Sequence, residues 1–490
     1  MPVILLIFCL VLAGCQPSGD DAIRFGLAAA PTNLDPRYAT DAASERIDRL
    51  IYARLTDHDA HARPVASLAS WKRLDATHYR FSLGRQGRRF HDGRPLNAAD
   101  VAATYRSILD PAGASPHRAT LSMIERIEVL DDDTLDFYLN RPDALFPGYL
   151  TVGILPAEGI ASDYPFHDHP VGSGPFRLLD WNQADRLTLQ RLDDGQTVIF
   201  EPVKDPTMRV LKLLRGEIDL LQNDLPPELV AYLSAQPGVR VQRRPGSNFA
   251  YLGFNLEDAD CARPAVRRAI ALAIDRRAII DYVFRGAARE AAALLPPEHW
   301  AGDPQLVPIA PDPDAARRLL ARAGYTPEHP LRLGYKTSSD PFRVRIATIL
   351  QQQLARVGIE VSVQSYDWGT FYGDVKAGRF QLYSLAWVGI KSPDIFRYAF
   401  ASDSLPPAGA NRGHFADAEV DRLIAQAGRA DTLQAQAGVY RALQRRLLEQ
   451  LPYVPLWYED QYAASGARIG GYTLAVDGAY DALARTVRVK

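Results

Sequence analysis

The sequence predicts an α/β protein, because stretches with strand-like alternation take turns with stretches of helical spacing. Alternating apolar and polar residues predict strands at 23–27, 78–83, 331–335 and 380–386. Residues 342–357 lie between the last two of these strands and have the apolar spacing of a helix. At 490 residues, the chain is long enough for two to four domains.

The first part of the chain has clear turn and cap signals. Pro31 and Pro36 bracket a loop after the first strand, and apolar residues at helical spacing then predict a helix over 42–53. Asp92-Gly93 is a dipeptide typical of tight hairpin turns. Asn97 is expected to cap the helix that follows, because its side chain can accept from the first backbone N–H groups.

The middle of the chain continues the alternation. A loop at 170–176 precedes a predicted strand at 186–192, and we expect Gly172 and Gly174 to adopt positive φ values there. Further signals predict a helix at 208–214, a strand at 249–255 and a single helix over 266–280 that Pro264 begins.

The N-terminus has the pattern of an export signal. Residues 3–12 are apolar, but a transmembrane helix needs about 20 such residues, so the run is typical of a secretory signal. It ends in Leu12-Ala13-Gly14-Cys15, which resembles a bacterial lipobox, although the usual Lys or Arg before the apolar run is missing. The resemblance implies a signal peptide at 1–14 and a lipidated tether at 15–22 that begins with Cys15. The alternative is a hydrophobic N-terminal strand.

The composition of the full chain is that of an ordinary globular protein, with 47% hydrophobic and 23% charged residues. The net charge of −2 argues against nucleic acid as a partner. If Cys15 is lipidated, Cys261 is the one cysteine left in the mature chain, and no intramolecular disulfide is expected. We therefore expect the mature protein to lie in the periplasm or at the cell surface, anchored to a membrane by lipid alone.

Seven motifs follow one another along the mature chain: Leu34-Asp35-Pro36; Phe90-His91-Asp92-Gly93 with Asn97-Ala98-Ala99-Asp100-Val101; Val171-Gly172-Ser173-Gly174-Pro175-Phe176; Gly216-Glu217-Ile218-Asp219; Asn255; Val266-Arg267-Arg268-Ala269-Ile270 with Ala273-Ile274-Asp275-Arg276; and Trp387 with Pro393-Asp394. In this order they resemble the family 5 extracellular solute-binding proteins, the dipeptide-, oligopeptide- and nickel-binding components of ABC importers. Each motif alone is mostly structural. Together they imply a monomeric binding protein that delivers a peptide or peptide-like solute to ABC permease subunits in the inner membrane.

The resemblance also implies a periplasmic-binding-protein-like fold with two lobes, a hinge, and a further domain inserted in the first lobe. The expected divisions are lobe I at 23–44, 170–244 and 465–490, the inserted domain at 45–169, and lobe II at 245–464. The chain would cross between the lobes near 247–252 and 462–465, and such hinges absorb backbone rotation as the lobes close on ligand.

Several ligand contacts follow from the same resemblance. Trp368 and Trp387 have the spacing of the two tryptophans that wall the pocket in peptide binders, and aromatic walls supply a large contact area. The alternative is two tryptophans of the core. Thr32 and Asn33 correspond to a first-lobe loop that touches ligand in the family.

The loop after the second tryptophan bears on specificity, and Gly389, Lys391 and Asp394 are its expected ligand contacts. Peptide binders have an acid three residues after that tryptophan, which pairs with the peptide ammonium, but Ile390 stands here. They often have a base three residues before it, where this chain has Ser384. The departure favours a blocked, modified or acidic peptide, or another small anionic solute. The alternatives are an ordinary peptide whose amine meets Asp394 or a first-lobe acid, and a Lys391 that faces solvent.

Other functions find less support. No hydrolase elbow, paired-histidine zinc motif or glycine-rich phosphate loop occurs, so neither an enzyme nor a cofactor is expected. No metal site is predicted either, although His167 with His169, His58 with His61, and His414 in a chelate binder are the weak candidates. A ligand sensor without a transport role remains an alternative.

Overall fold

The computed structural model describes residues 21–182 and 186–489. The predicted signal peptide and Cys15 lie outside the described residues. No helix in the described ranges combines the length and the apolar character that a membrane crossing requires.

The strands and helices come in four groups along the chain. The first group runs from the N-terminal strand to the end of the region around the small sheet: β1 (Ile23–Leu27), α1 (Ala42–Ile51), β2 (Thr56–His58), β3 (Pro64–Ala66), β4 (Ala69–Arg73), β5 (His78–Leu83), α2 (Ala98–Leu109), α3 (Arg118–Leu121), β6 (Ile124–Val129), β7 (Thr134–Leu139) and α4 (Ala157–Ala161). The second group is β8 (Phe176–Asn182), β9 (Arg186–Arg191), β10 (Thr197–Pro202), α5 (Pro206–Arg215), β11 (Leu220–Gln222), α6 (Pro227–Ser234) and β12 (Val239–Phe254).

The third group is α7 (Pro264–Ala273), α8 (Arg276–Tyr282), β13 (Ala288–Glu290), α9 (Pro313–Arg322), β14 (Leu331–Ser338), α10 (Pro341–Ala355), β15 (Ile359–Tyr366), α11 (Trp368–Lys376) and β16 (Leu382–Trp387). The last group is α12 (Ile395–Phe400), α13 (Ala418–Arg429), α14 (Leu433–Gln450), β17 (Tyr453–Gly466), β18 (Ile469–Gly470) and β19 (Val487–Arg488). Strands and helices alternate as predicted, and the α/β class is confirmed.

Eleven of the described strands form one mixed sheet, in the order β15-β14-β16-β12-β17-β11-β1-β10-β9-β8 with β13 beside β17. The antiparallel pair β12 and β17 runs through both halves of this sheet. Residues 239–244 of β12 belong to the half that holds β1, and residues 248–253 belong to the half that holds β14. The register shifts between Arg244 and Asn248, so a bulge lies where the chain passes from one half to the other.

Separate cores lie around the sheet. Residues 55–154 contribute one core, in which α2 packs on the four-stranded sheet β4-β5-β7-β6. Ile47, Leu50 and Ile51 of α1 pack instead with Phe25 of β1. Two further cores lie in the half of the sheet that holds β14 and β16.

One local prediction is confirmed in detail. The Asn97 side chain accepts from the backbone N–H groups of Ala99 and Asp100, and the Asp100 carboxylate accepts from Asn97 N in return. This capping box satisfies donors that the first turn of α2 would otherwise leave unpaired.

Two local predictions are wrong. The helix expected over 266–280 is interrupted, because Asp275 accepts from Ala278 N and starts the new helix α8. Gly172 and Gly174 do not have positive φ values. A Cβ on Gly172 would instead lie 2.0 Å from the Ile51 carbonyl oxygen, so the reason for glycine is close approach to the end of α1.

Candidate functional site

Two adjoining cavities lie where the two halves of the large sheet meet the region around the four-stranded sheet. The hinge cavity, about 500 Å³ in volume, is lined by residues 58–62, the β12 bulge, residues 296–299 and the tail at 475–481. The α1 cavity, about 320 Å³, is lined by α1, residues 148–153 and the loop after β16. Arg49, His58 and Lys391 lie in the walls of both.

Lys391 joins the loop after β16 to the C-terminal tail. Its Nζ lies 2.7 Å from Asp477 Oδ2, and the two side chains are only 28% and 27% exposed. Burial would raise the pKa of Asp477, but the Lys391 ammonium, together with Arg49 and the Ala479 N–H, outweighs burial and lowers that pKa to about 2. Lys391 therefore lies at the cavity wall with its charge paired.

His299 forms a hydrogen bond with the backbone of the same loop. Its Nε2 lies 2.9 Å from the Lys391 carbonyl oxygen, and its Nδ1 accepts from Ala301 N at 3.1 Å. Because Nδ1 is the acceptor, Nε2 carries the proton and donates to that carbonyl. Burial lowers the pKa of His299 to about 4 and keeps the ring neutral. Gly389, in the same loop, has a φ of +68° and donates its N–H to Asn248 Oδ1 of β12 at 3.4 Å.

The two predicted tryptophans lie in different surroundings. Trp368 begins α11, is 59% exposed, and lines a third cavity of about 210 Å³ beside Tyr251. Trp387 ends β16 and is half-buried. Its indole stacks with the Tyr251 ring, 6.4 Å between ring centroids, and the Arg412 guanidinium lies 5.0 Å from the indole centroid. Trp368 is thus accessible to a solute, and Trp387 is supported by packing.

Thr32 and Asn33 stabilise the loop before α1. Both backbone N–H groups donate to Ser44 Oγ, at 2.9 and 3.2 Å, and Thr32 Oγ1 donates to Asp41 Oδ2 at 2.6 Å. Asp394 is the N-terminal flanking residue of α12 and is exposed. Of the predicted set, Gly389 and Lys391 thus lie in the wall of the α1 cavity and Trp368 lies in the wall of the third cavity. The ligand roles of all seven residues stay predictions.

The histidines weighed as metal ligands are spread over the protein. The described residues hold no group of three or more His, Cys, Asp or Glu side chains placed to bind a metal ion. His167 and His169 lie 3.5 and 3.9 Å from Asp168, and His414 lies 3.3 Å from Glu257.

Sequence reasoning did not single out Asp477, His299 or Arg412. Asp477 lies in a tail without a motif, and His299 follows a loop that no pattern marks. Arg412 is buried and donates to Tyr251 Oη and Tyr372 Oη at 3.1 and 3.2 Å. The sequence around Arg412, with Asn411 and Gly413 beside it, gave no signal of its burial.

Comparison with known proteins shows which family the chain belongs to. Residues 63–405 match the model for bacterial extracellular solute-binding proteins, family 5 Middle. The di/tripeptide-binding protein 2 of Pseudomonas aeruginosa is 28% identical over 524 residues, which covers 94% of this chain and 98% of that protein. Heme-binding protein A of Haemophilus influenzae is 27% identical over 514 residues, with coverage of 95% and 92%.

A solved structure agrees with the sequence relatives. The ABC transporter-associated periplasmic binding protein DppA from Helicobacter pylori, in complex with the peptide STSA, superposes with a TM-score of 0.78. Its sequence is 25% identical, and the match covers 96% of this chain and 98% of that one. With the family match spanning most of its length and the fold in agreement, this chain belongs to the bacterial extracellular solute-binding proteins of family 5.

Proposed function

We propose that this protein is the extracytoplasmic substrate-binding component of an ABC importer and that it binds a peptide or peptide-like solute. The observation that carries the proposal is the pair of joined cavities, whose walls come from both halves of the large sheet, from α1 and from the C-terminal tail. A solute that fills such a space contacts all of these parts at once. It therefore favours the closed arrangement over the open one, which is how binding becomes a signal to a permease.

The choice of a peptide rests on the relatives. The P. aeruginosa relative is named for di- and tripeptides, and the H. pylori structure holds a peptide. The H. influenzae relative is named for heme, so a non-peptide solute or a metal chelate is the second candidate. Lys391 would favour an anionic solute only if it released Asp477, because its charge is already paired.

In this proposal the lobes rotate about the place where β12 and β17 cross from one half of the sheet to the other. Lobe I comprises 23–44, 170–244 and 465–490, the inserted domain 45–169 and lobe II 245–464. The bulge at 245–247 interrupts the β12 ladder between the two halves of the sheet and supports this assignment, since backbone rotation there breaks few hydrogen bonds.

The identity of the cargo is the most direct test. The protein is purified from its native cells under mild conditions, and bound solutes are released and identified by mass spectrometry. Recovery of a mixture of di- to pentapeptides supports the peptide proposal, and the same peptides incubated with the protein should be recovered intact, as expected of a binding protein. Recovery of heme, a metal chelate or a small anion alone would contradict it.

The exposed tryptophan offers a second test. The proposed contact with Trp368 requires the solute to reach the third cavity, which Trp368 lines. Binding of the recovered cargo should then change the intrinsic fluorescence, and Trp368→Phe should remove much of the change. Trp71→Phe is the matched control, since Trp71 lies in β4 against the core of the four-stranded sheet. A fluorescence change that depends on Trp71 and not on Trp368 would contradict the placement.

The protein is further proposed to be a monomer that a lipid on Cys15 anchors to the membrane, as the lipobox-like sequence supports. Cys15→Ala should release it into the soluble fraction of fractionated cells, whereas Cys261→Ala, as the control, should leave it with the membranes. Loss of uptake of the recovered cargo in cells without the protein separates an importer component from a sensor.

A further inference from the structure

A carboxylate without a partner lies in the wall of the α1 cavity. Asp48, on α1, is 6% exposed, and among the described residues neither of its carboxylate oxygens has a hydrogen-bond partner. Buried polar groups in native proteins are nearly always bonded, and a buried carboxylate without a partner is costly. The partner of Asp48 is therefore to be sought outside the chain.

The neighbouring acids make the position more negative. Asp35 is paired with Arg37 at 2.7 Å, and Asp41 accepts from Ser44 at the start of α1. Burial, followed by the charges of Asp35, Asp41 and Glu45, raises the pKa of Asp48 well above its usual range. A cation beside Asp48 would relieve both the burial and the repulsion.

The bases of the α1 cavity are already paired within the protein. Arg49 and Arg54 lie 3.2 and 2.6 Å from Asp57, and Lys391 lies 2.7 Å from Asp477. The two acids of α1 in the cavity wall form no ion pair with any described residue. The three bases are therefore held by other acids of the protein, and the two acids of α1 are left for a group of the solute.

We propose that the α1 cavity binds a cationic group of the solute, an ammonium or a guanidinium, and that Asp48 is its principal acceptor. The inference rests on the proposed function and names the chemistry of one end of the solute. Glu45 lies in the same wall and supplies a second carboxylate, and Tyr149 also lies in this wall, where an aromatic ring can stabilise a cation. No third metal-ligating side chain joins these acids in the described chain, so an organic cation fits better than a metal ion.

The subsite bears on the missing acid of the loop after β16. Family resemblance leads us to expect an acid at position 390, but Ile390 is apolar and lines the hinge cavity. Asp48 offers a carboxylate from α1, in the cavity whose wall also holds Gly389 and Lys391. A free-amine peptide could then bind without an acid at 390. When the cation enters, the Asp48 carboxyl ionises and its proton passes to solvent.

The test compares solutes that differ in one charge. A pool of free-amine di- and tripeptides and the same pool after N-acetylation are equilibrated with the protein, and the bound fraction is measured by dialysis and mass spectrometry. Putrescine, an amine without a carboxylate, is a third probe that separates a peptide amine from a free amine. The wild type should bind the free-amine pool at least about tenfold more tightly than the acetylated pool, and Asp48→Asn should reduce that preference to less than about threefold.

Controls keep the outcomes distinct. Asp314→Asn removes a charge from α9, where the side chain is 78% exposed, and should leave the preference unchanged. Thermal melting verifies that Asp48→Asn is folded, and Asp48→Ser serves as a second variant. Equal binding of both pools by the wild type, a full preference in both folded Asp48 variants, or a native cargo of peptides without a free amine or guanidinium would overturn the inference alone. Binding of no probe and recovery of no cargo would refute the proposed function, and the inference with it.

Discussion

Protonation linked to His299 should lower the free energy of unfolding as the pH falls from about 6.5 to about 4. In the folded chain Nε2 donates to the Lys391 carbonyl and Nδ1 accepts from Ala301 N, an arrangement that only the neutral ring can make. Burial lowers the pKa of His299 from 6.5 to about 4. The unfolded chain therefore takes up a proton in this range while the folded chain resists it, and protonation favours unfolding.

The size of the effect follows from the shift in pKa. Each pKa unit corresponds to about 1.4 kcal/mol, so the free energy of unfolding should fall by about 2 to 3 kcal/mol between pH 7.5 and pH 4.5 through His299. Urea unfolding at the two pH values measures this loss. His299→Gln keeps a donor for the Lys391 carbonyl but cannot titrate, and its loss over the same range should be smaller by that amount.

Comparison between variants removes other contributions. His58, whose pKa burial also lowers to about 4, titrates in the same range, but it does so equally in the wild type and in His299→Gln. His167→Gln is the matched control, because His167 is 59% exposed on its side chain and should leave the pH dependence unchanged. An identical loss of stability in the wild type and in His299→Gln would refute the reasoning.

Two further predictions concern the fold and the cavity wall. Gly172→Ala should lower the free energy of unfolding by about 3 kcal/mol, because the new Cβ would meet the Ile51 carbonyl oxygen. The control Gly373→Ala in α11 has open space around it and should be neutral or stabilising by up to about 1 kcal/mol. Urea unfolding measures both variants, and equal effects would contradict the prediction. Lys391→Ala and Asp477→Ala, measured singly and together, should show a coupling energy of about 1 kcal/mol in unfolding, and strict additivity would mean that the ion pair does not form in solution.

Short-range signals predicted much of the fold. The alternation at 331–335 lies inside β14, and the cap expected at Asn97 is present because a side chain bonds to backbone three residues away. The continuous apolar stripe over 266–280 was misleading, since the Asp275 cap decides where α8 starts and the stripe does not record it. Periodicity reports which face is buried but not where the backbone breaks.

Long-range partners were beyond the reach of such signals. The strand expected at 249–255 begins in fact at Val239. Its first part was missed because residues 239–244 are mostly polar and form a strand through pairing with β17, more than 200 positions later in the chain. The same limit holds for the candidate site. The sequence marked Lys391 as an unusual base, but its partner Asp477 comes from a tail without a motif, and the orphaned carboxylate of Asp48 is visible only once α1 is packed.

The shared strand β17 also sets the order in which the molecule can be completed. β1 lies between β10 and β11, and the far edge of β11 is covered by residues 463–465 of β17. Domains usually fold one after another as the chain emerges from the ribosome. Here the half-sheet that contains the first strand stays one strand short until nearly all of the described chain has been made. A protein built this way reaches its finished core late in synthesis, which suits a family whose members work outside the cell.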